Sequence, residues 1–294
     1  MSYRETPWLS EIEGGGGGMK LKWYGWLGLG IMIVAQGLMF LRVEPVATWF
    51  TPIVWTGYIL FADALALHLR GESLIHDSPR EFLMMLWLSL GIWLIFEVYN
   101  LRLMNWHYIG VPHPLGLRNL AYGWSFATIF PAIFETADWL GGVLKFERLH
   151  ITPRQLSPFV WALLFVVGVA CVTLPLALPY RVSRFMFGFV WLGFIFVGEP
   201  INYQMGAPSL FRQWEEGRLG DTLRFLTAGA VCGLLWEFWN YWALAKWVYA
   251  VPILSEIKVF EMPVLGFLGF PPFALECYVL YHLIRRLLRG DDLW

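Results

Sequence analysis

Long apolar stretches alternate with short polar connections along almost the whole chain. A helix that crosses a hydrocarbon core of ~30 Å needs about 20 residues, and eight segments are that long and that apolar. Several contain Gly or Pro, which membrane helices tolerate because neighbouring helices satisfy the freed backbone groups. The pattern predicts an all-α, polytopic integral membrane protein with about eight transmembrane helices. The predicted spans are residues 20–42, 46–69, 81–104, 119–144, 155–178, 180–203, 222–250 and 263–288.

Composition supports a membrane environment and narrows the function classes. Hydrophobic residues make up 58% of the chain and charged residues 15%, whereas soluble domains are about half apolar and about a quarter charged. A net charge of −1 gives no reason to expect a nucleic-acid partner. The chain has no Gly-rich phosphate loop, paired-cysteine motif or DDxxD-type diphosphate motif, which argues against an ATPase, a hydrolase or a prenyltransferase. We therefore expect no cofactor and no metal ion.

The distribution of positive charge predicts the orientation. Of the 21 Lys and Arg residues, 14 lie on the side that carries both termini and the loops at 70–80, 145–154 and 204–221. Positive charge is enriched in cytoplasmic loops, so both termini are expected in the cytoplasm and the protein in the inner (cytoplasmic) membrane. Residues 1–19 are predicted to be a polar arm with a flexible glycine tether at Gly14–Gly18.

The two halves of the chain, 20–150 and 151–294, carry similar residues in the same order. The offset between matched residues drifts only from 136 to 141, and the slack falls in loops. An even number of helices in each half gives both halves the same orientation, so the pattern predicts a 4+4 parallel internal repeat about an axis along the membrane normal. The matched polar pairs are Asp63/Glu199, Glu97/Glu237, Asn100/Asn240 and Glu135/Glu276.

Carboxylates inside the predicted helices are the leading candidates for chemistry. An ionisable residue at bilayer depth costs ~2.5–3.5 kcal/mol on insertion scales and is a functional candidate by default. The third, fourth, seventh and eighth helices are expected to bring four glutamates together near the midplane, where some would hold protons. The alternative is that each glutamate is protonated and only joins helices. The expected catalytic residues are Glu97, Glu135, Glu237 and Glu276. The residues expected to contact a bound molecule are Asp63, Trp93, Asn100, Glu199, Trp236 and Asn240.

Three motifs of the second half resemble the membrane lycopene cyclase domain of bacteria and archaea. They are Trp236-Glu237, then Trp247-x-Tyr249, then Pro272-x-x-x-Glu276. That family has a Trp-Asp pair, a Trp-x-Phe further along the same helix and a Pro-x-Glu-Glu motif on the next, so Glu replaces Asp here and the paired glutamate is absent. The first half repeats the pattern as Glu97, Trp106-x-Tyr108 and Pro131-x-x-x-Glu135.

The resemblance covers the second to fourth and the sixth to eighth helices. It implies protonation of an isoprenoid double bond without a cofactor, followed by ring closure, with Glu135 or Glu276 as the acid. The expected partner is then a membrane lipid or isoprenoid.

Two other functions fit the same residues. A proton- or cation-coupled transporter would explain duplication and carboxylates at the midplane. A non-catalytic or pigment- or lipid-binding subunit would explain the many aromatic residues, and would have membrane protein partners. An apolar cavity open to lipid favours the enzyme, a path for water to the carboxylates favours the transporter, and a filled interior favours the subunit.

Overall fold

The computed structural model describes residues 21–289, and this part of the chain is mostly helical. The predicted polar arm at 1–19 lies outside the described residues. The helices are α1 (Trp23–Phe40), α2 (Phe50–Arg70), α3 (Leu74–Asp77), α4 (Pro79–Leu103), α5 (Leu115–Ala127), α6 (Ile129–Val143), α7 (Pro158–Ala177), α8 (Tyr180–Ser183), α9 (Phe187–Met205), α10 (Leu210–Glu215), α11 (Gly220–Trp242) and α12 (Phe270–Arg289). Short strands form two antiparallel pairs, β1 (Trp106–Ile109) with β2 (Lys246–Tyr249) and β3 (Lys258–Val259) with β4 (Met262–Pro263). Two 3-10 turns span Phe146–Arg148 and Val264–Gly269.

Every predicted span contains a helix, and some of these helices have the length and apolarity of a membrane span. Among residues 21–289, five helical stretches meet both conditions. Helices α5 and α6 are each too short to cross a bilayer core alone. Helices α9 and α11 carry an acid and an asparagine in their last turns, which lowers their mean hydropathy. The five stretches are Trp23–Phe40, Phe50–Arg70, Pro79–Leu103, Pro158–Ala177 and Val264–Arg289.

The predicted helix at 222–250 is wrong at its C-terminal end. Helix α11 stops at Trp242, and Lys246–Tyr249 forms strand β2. β-Branched and aromatic residues favour strands, and the partner strand β1 comes from the other half of the chain. The all-α class therefore becomes a helical fold with two small β ribbons. The predicted span at 119–144 is also divided, because the helical ladder breaks at Thr128 between α5 and α6.

Glycine allows the helices within each half to pack closely. On α1, a Cβ at Gly28 would lie 2.4 Å from the carbonyl oxygen of Gly57 on α2. On α7, a Cβ at Gly168 would lie 2.7 Å from the backbone nitrogen of Val197 on α9. Small residues permit such backbone contacts between membrane helices. Helices α1 and α7 bury few of their other residues, so they form the periphery of the bundle.

Aromatic side chains join the two halves. Trp55 on α2 contacts Trp236 and Trp239 on α11, with ring centroids 5.2 and 4.9 Å apart. Phe273 on α12 contacts Trp93 on α4 at 5.9 Å. Edge-to-face and tilted pairs at these distances add stability beyond the area that they bury. The interface between the halves is therefore built from large, rigid side chains that leave irregular space between them.

A buried ion cluster also ties the halves together. Glu81, in the first turn of α4, is 3% exposed and accepts hydrogen bonds from Tyr281, Arg285 and Arg289 on α12. The distance from Arg285 Nε to Glu81 Oε1 is 2.6 Å. Breaking a buried ion pair is costly because the remaining charge is left uncompensated. The cluster therefore fixes the start of α4 against the end of α12.

The β1–β2 ribbon is the third connection between the halves. Trp106 pairs with Tyr249, and Tyr108 pairs with Trp247. The turn after β1 requires glycine, because Gly110 has φ +65° and a Cβ there would lie 2.1 Å from the carbonyl oxygen of Leu244. The ribbon thus places two Trp-x-Tyr segments from distant parts of the chain side by side.

Candidate functional site

A cavity of about 450 Å³ lies between the two halves, beside the β1–β2 ribbon. Helices α2, α4, α5, α9, α11 and α12 and both ribbon strands contribute to its wall. The wall is largely aromatic, which is typical of a site for an apolar ligand. Its aromatic residues include Trp55, Trp93, Trp106, Phe126, Phe187, Trp191, Trp236 and Phe273.

The cavity has a lateral opening, formed by α9 and the 3-10 turn before α12. Phe185, Leu192, Leu265 and Leu268 line the cavity and are 49, 40, 44 and 72% exposed. Exposed apolar residues around an opening fit a surrounding of lipid tails. An apolar chain has a direct route from that side into the aromatic space.

Glu97 is held at the cavity wall by three aromatic donors. The indole nitrogens of Trp93 and Trp106 donate to Glu97 Oε1 at 3.0 and 3.1 Å. The Tyr108 hydroxyl donates to the same oxygen at 2.5 Å. Trp93, Trp106 and Tyr108 all line the cavity. Glu97 itself does not line the cavity, so its carboxyl group is linked to the cavity only through these three side chains.

Glu237 has a sparser version of the same arrangement. The Tyr249 hydroxyl donates to Glu237 Oε1 at 2.7 Å, and the Trp247 indole donates to the Tyr249 oxygen at 2.8 Å. Glu237 is fully buried, and its Oε2 has no hydrogen-bond partner among residues 21–289. Both Tyr249 and Trp247 line the cavity. Tyr249 is thus the link between this carboxyl group and the cavity.

The ribbon tyrosines lie outside the membrane-spanning helices and keep their protons. Burial raises the pKa of the Tyr249 hydroxyl well above its usual value, and the adjacent Glu237 raises it further. Burial raises the pKa of Tyr108 in the same way, and Glu97 adds to the rise. Neutral phenols can donate to a carboxylate or accept from a carboxylic acid. Each Tyr–Glu pair can therefore pass a proton in either direction.

Asn100 and Asn240 position the ribbon strands. The side-chain nitrogen of Asn100 donates to the carbonyl oxygen of Trp106 at 2.8 Å, and its oxygen accepts from the Asn105 and Trp106 backbones. Asn240 makes the same pair of contacts with the backbone of Trp247. Neither asparagine lines the cavity. They were predicted to contact a bound molecule, and the structure places them next to the ribbon strands, whose Trp106 and Trp247 line the cavity.

Asp63 and Glu199 hold the chain at the start of the short helices α3 and α10. Asp63 accepts from Ser73 Oγ at 2.9 Å and from the Ile75 backbone at 2.7 Å. Glu199 accepts from Ser209 Oγ at 2.6 Å and from the Leu210 backbone at 3.0 Å. Both acids are fully buried and neither lines the cavity. Asp63 also accepts from the Tyr24 hydroxyl on α1 at 2.6 Å, so the hydrogen bonds of both acids are with other residues of the protein itself.

Glu135 and Glu276 are sealed inside the helices. Each is fully buried, and neither oxygen of either carboxyl group has a hydrogen-bond partner in the described part of the chain. Asp63 and Asp138 act electrostatically on Glu135, whereas Tyr99 lies within electrostatic range of Glu276. Neither glutamate lines the cavity. The four glutamates expected to converge thus occupy separate places, and only Glu97 and Glu237 share the ribbon.

The residues that reach the cavity include two of the predicted contacts and several that were not predicted. Trp93 and Trp236, which were predicted to contact a bound molecule, line the cavity. Trp106, Tyr108, Trp247 and Tyr249 were singled out only as parts of motifs. Their signal is a Trp-x-Tyr segment that follows a helical Glu in both halves, with the Tyr 11 or 12 residues later.

Comparison with family models, with curated proteins and with solved structures gives no match for this chain.

Removing the Tyr249 hydroxyl should cost more stability than removing that of Tyr108. Tyr249→Phe leaves Glu237 and the Trp247 indole without partners, and a buried unsatisfied group costs about 1–3 kcal/mol. Tyr108→Phe leaves Glu97 with two indole donors, so we expect about 1 kcal/mol. Unfolding of the purified protein in mixed micelles measures both changes.

The matched control for these variants is Tyr241→Phe. Tyr241 is 42% exposed and lies on α11 one turn after Glu237. It should change the free energy of unfolding by no more than about 0.5 kcal/mol. Equal losses for Tyr249→Phe and Tyr241→Phe would contradict the assigned hydrogen bonds.

Proposed function

We propose that this chain is an integral membrane enzyme that protonates a double bond of a polyunsaturated isoprenoid chain and promotes its rearrangement or ring closure without a cofactor. The observation that carries the proposal is the pair of cavity-lining tyrosines, Tyr108 and Tyr249, each hydrogen-bonded to a carboxyl group. An acid that reaches into an aromatic, apolar cavity is what such a reaction requires.

The chemistry uses each Glu–Tyr pair as a relay. Protonated Glu97 donates to the Tyr108 oxygen while the Tyr108 proton passes to a carbon of the substrate double bond. A C–H bond forms, the π bond breaks and a carbocation results. A second double bond attacks the cation, and loss of a proton from the neighbouring carbon to the relay restores the acid. The proton is returned and nothing is oxidised, so the reaction needs no cofactor.

The aromatic wall stabilises the cationic intermediate. Cations are attracted to the faces of Trp and Tyr rings within about 6 Å, and the attraction strengthens when water is excluded. Trp55, Trp93, Trp191 and Trp236 surround the cavity. An apolar wall also keeps out water, which would otherwise trap the cation as an alcohol.

The lycopene cyclase resemblance implies that Glu135 or Glu276 is the acid. This proposal assigns that role to Glu97 and Glu237 instead. Phe273, one turn before Glu276 on α12, lines the cavity, whereas Glu276 does not. On this proposal, Glu135 and Glu276 stay protonated and contribute to the packing of the helices.

Buried acids without partners also fit a second candidate, a proton- or cation-coupled transporter. The observation that favours it is Glu135, whose carboxyl group is fully buried, has no hydrogen bond among the described residues and lies near Asp63. Against it, the cavity wall is largely aromatic, and Glu135 is not among the residues that line it. The third candidate, a subunit with a filled interior, fits poorly with a cavity of about 450 Å³.

We further propose that the eight helical segments all cross the inner membrane as a 4+4 repeat, with both termini in the cytoplasm. Matched residues make matched contacts, such as Asp63 with Ser73 and Glu199 with Ser209. The ribbon register supports a two-fold relation between the halves. Trp106 pairs with Tyr249 and Tyr108 with Trp247, which is the pairing that a two-fold axis produces from two equivalent Trp-x-Tyr strands.

Deuterium transfer from solvent tests the proposed reaction. The full chain in nanodiscs is incubated in D₂O with isoprenoid extract from its own membrane, and lipids are analysed by mass spectrometry. One lipid should be converted to an isomer that carries deuterium. The Glu97→Gln/Glu237→Gln variant should lose about 10²–10⁴-fold in rate, because general acid catalysis contributes about that much.

The control is Glu216→Gln, since Glu216 is an exposed acid paired with Arg218 far from the cavity. It should react at the wild-type rate. Conversion at an unchanged rate by the double variant, or an isomer without deuterium, would exclude the proposed role of the two acids. A pH gradient that drives uptake of a solute, with no converted lipid, would favour the transporter.

Cysteine labelling tests the proposed topology. In a chain whose three native cysteines are replaced by serine, Glu216→Cys should react with an impermeant thiol reagent only after the cells are opened. Glu256→Cys, in the loop before β3, should react in intact spheroplasts. Labelling of both positions from the same side would contradict the proposed number of crossings between them.

A further inference from the structure

The cavity wall contains buried polar atoms that an apolar ligand cannot satisfy. The atoms are Thr51 Oγ1, Trp55 Nε1, Asn105 Oδ1, Arg184 Nε and Trp191 Nε1, and none has a hydrogen-bond partner within residues 21–289. Buried polar groups are almost always paired in folded proteins. Four of the five atoms are hydrogen-bond donors, so the buried polar atoms of these wall residues are mostly donors.

Arg184 is the strongest of these donors. It lies half-buried between α8 and α9, and its guanidinium carbon is 5.4 Å from the Tyr180 ring and 5.6 Å from the Phe185 ring. Asn105 donates to the Arg184 carbonyl oxygen at 2.9 Å, which fixes the backbone beside the cavity. In the described chain, no carboxylate lies within ion-pair distance of its side chain. The charge is therefore held in place but not neutralised.

Lys246 provides the contrast. It also lines the cavity, but its ammonium group is paired with Glu261. Arg184 is thus the cavity-lining cation that remains available to a ligand. An arginine side chain is the preferred partner for phosphate and carboxylate groups, because its planar fork can donate two parallel hydrogen bonds.

The position of Arg184 beside the lateral opening fits a lipid head group. Phe185, the next residue, and Leu192 belong to that opening. A lipid that enters through it would carry its tail toward Trp191 and the aromatic wall. Its head would stay near the N-terminal end of α9. An Arg at a helix end reaches readily toward the membrane interface.

We propose that the ligand is an amphipathic lipid with an anionic head, a phosphate or carboxylate bound by Arg184, and an unsaturated tail in the aromatic cavity. The unsaturated tail rests on the proposed function. The anionic head narrows the proposed substrate class from isoprenoid hydrocarbons to isoprenoid chains that carry an anionic head. Asn105 contributes by donating to the Arg184 carbonyl oxygen, which holds the backbone beside the cavity.

Binding of defined lipids tests the proposal without reference to any reaction. Quenching of tryptophan fluorescence is measured for the full chain in nanodiscs, with geranylgeranyl monophosphate, geranylgeraniol, squalene and inorganic phosphate as probes. The monophosphate should bind about 10- to 100-fold more tightly than the alcohol, since charge-assisted hydrogen bonds contribute about that factor.

Substitutions at Arg184 should remove this preference. Arg184→Gln should reduce the ratio of the two affinities to about one, whereas Arg184→Lys, which keeps the charge but not the fork, should retain part of it. The matched control is Arg181→Gln, because Arg181 is an exposed arginine one turn earlier on α8. Gly188→Leu fills open space in the cavity wall and should weaken every tailed probe alike.

Different outcomes overturn the anionic head group and the proposed function. The anionic head group is overturned if alcohol and monophosphate bind equally, or if Arg184→Gln leaves the ratio of their affinities unchanged. The apolar cavity still stands as the binding site if Gly188→Leu weakens binding of the alcohol. Inorganic phosphate that binds as tightly as the prenyl phosphate, with the same dependence on Arg184, identifies a free-phosphate site and overturns the lipid. Failure of all tailed probes with the wild-type chain overturns both the head group and the proposed function.

Discussion

The structure depends on how two carboxyl groups are satisfied inside an apolar bundle. A buried acid without hydrogen bonds is costly, and Glu97 and Glu237 obtain theirs from aromatic residues of the β1–β2 ribbon. The same contacts hold the ribbon over the cavity and place Tyr108 and Tyr249 in its wall. One set of hydrogen bonds thus determines how the ribbon packs, how the cavity is closed and how the two carboxyl groups are linked to the cavity.

Sequence patterns predicted the helices better than the contacts of the acids. Each of the eight predicted spans contains a helix, and five helical stretches among residues 21–289 have the length and apolarity of a membrane span, because these two requirements leave a direct trace in composition. The ribbon was missed because β2 continues an apolar run and its partner β1 lies 140 residues away in the chain. The hydrogen bonds of Asp63 and Glu199 were not predicted for a related reason: their partners are a serine hydroxyl and backbone groups 10–12 residues later, which no residue pattern indicates.

The four helical glutamates differ in accessibility although they look alike in sequence. Glu97 and Glu237 communicate with the cavity through tyrosine, whereas Glu135 and Glu276 are enclosed by helices. On the proposed function, this difference separates acids that move protons from acids that hold them. On the same proposal, the aromatic wall would stabilise cationic intermediates, and Arg184 would bind the polar head of the ligand.

The most direct test of the central claim, that the aromatic cavity holds a lipid chain against the two Tyr–Glu pairs, is an electron cryo-microscopy map of the protein purified from its own membrane. The account predicts continuous elongated density that enters beside Leu268 and passes within contact distance of Tyr108 and Tyr249. Side chains that fill this space, or isolated water density beside the two tyrosines with lipid only on the outer surface, would contradict it.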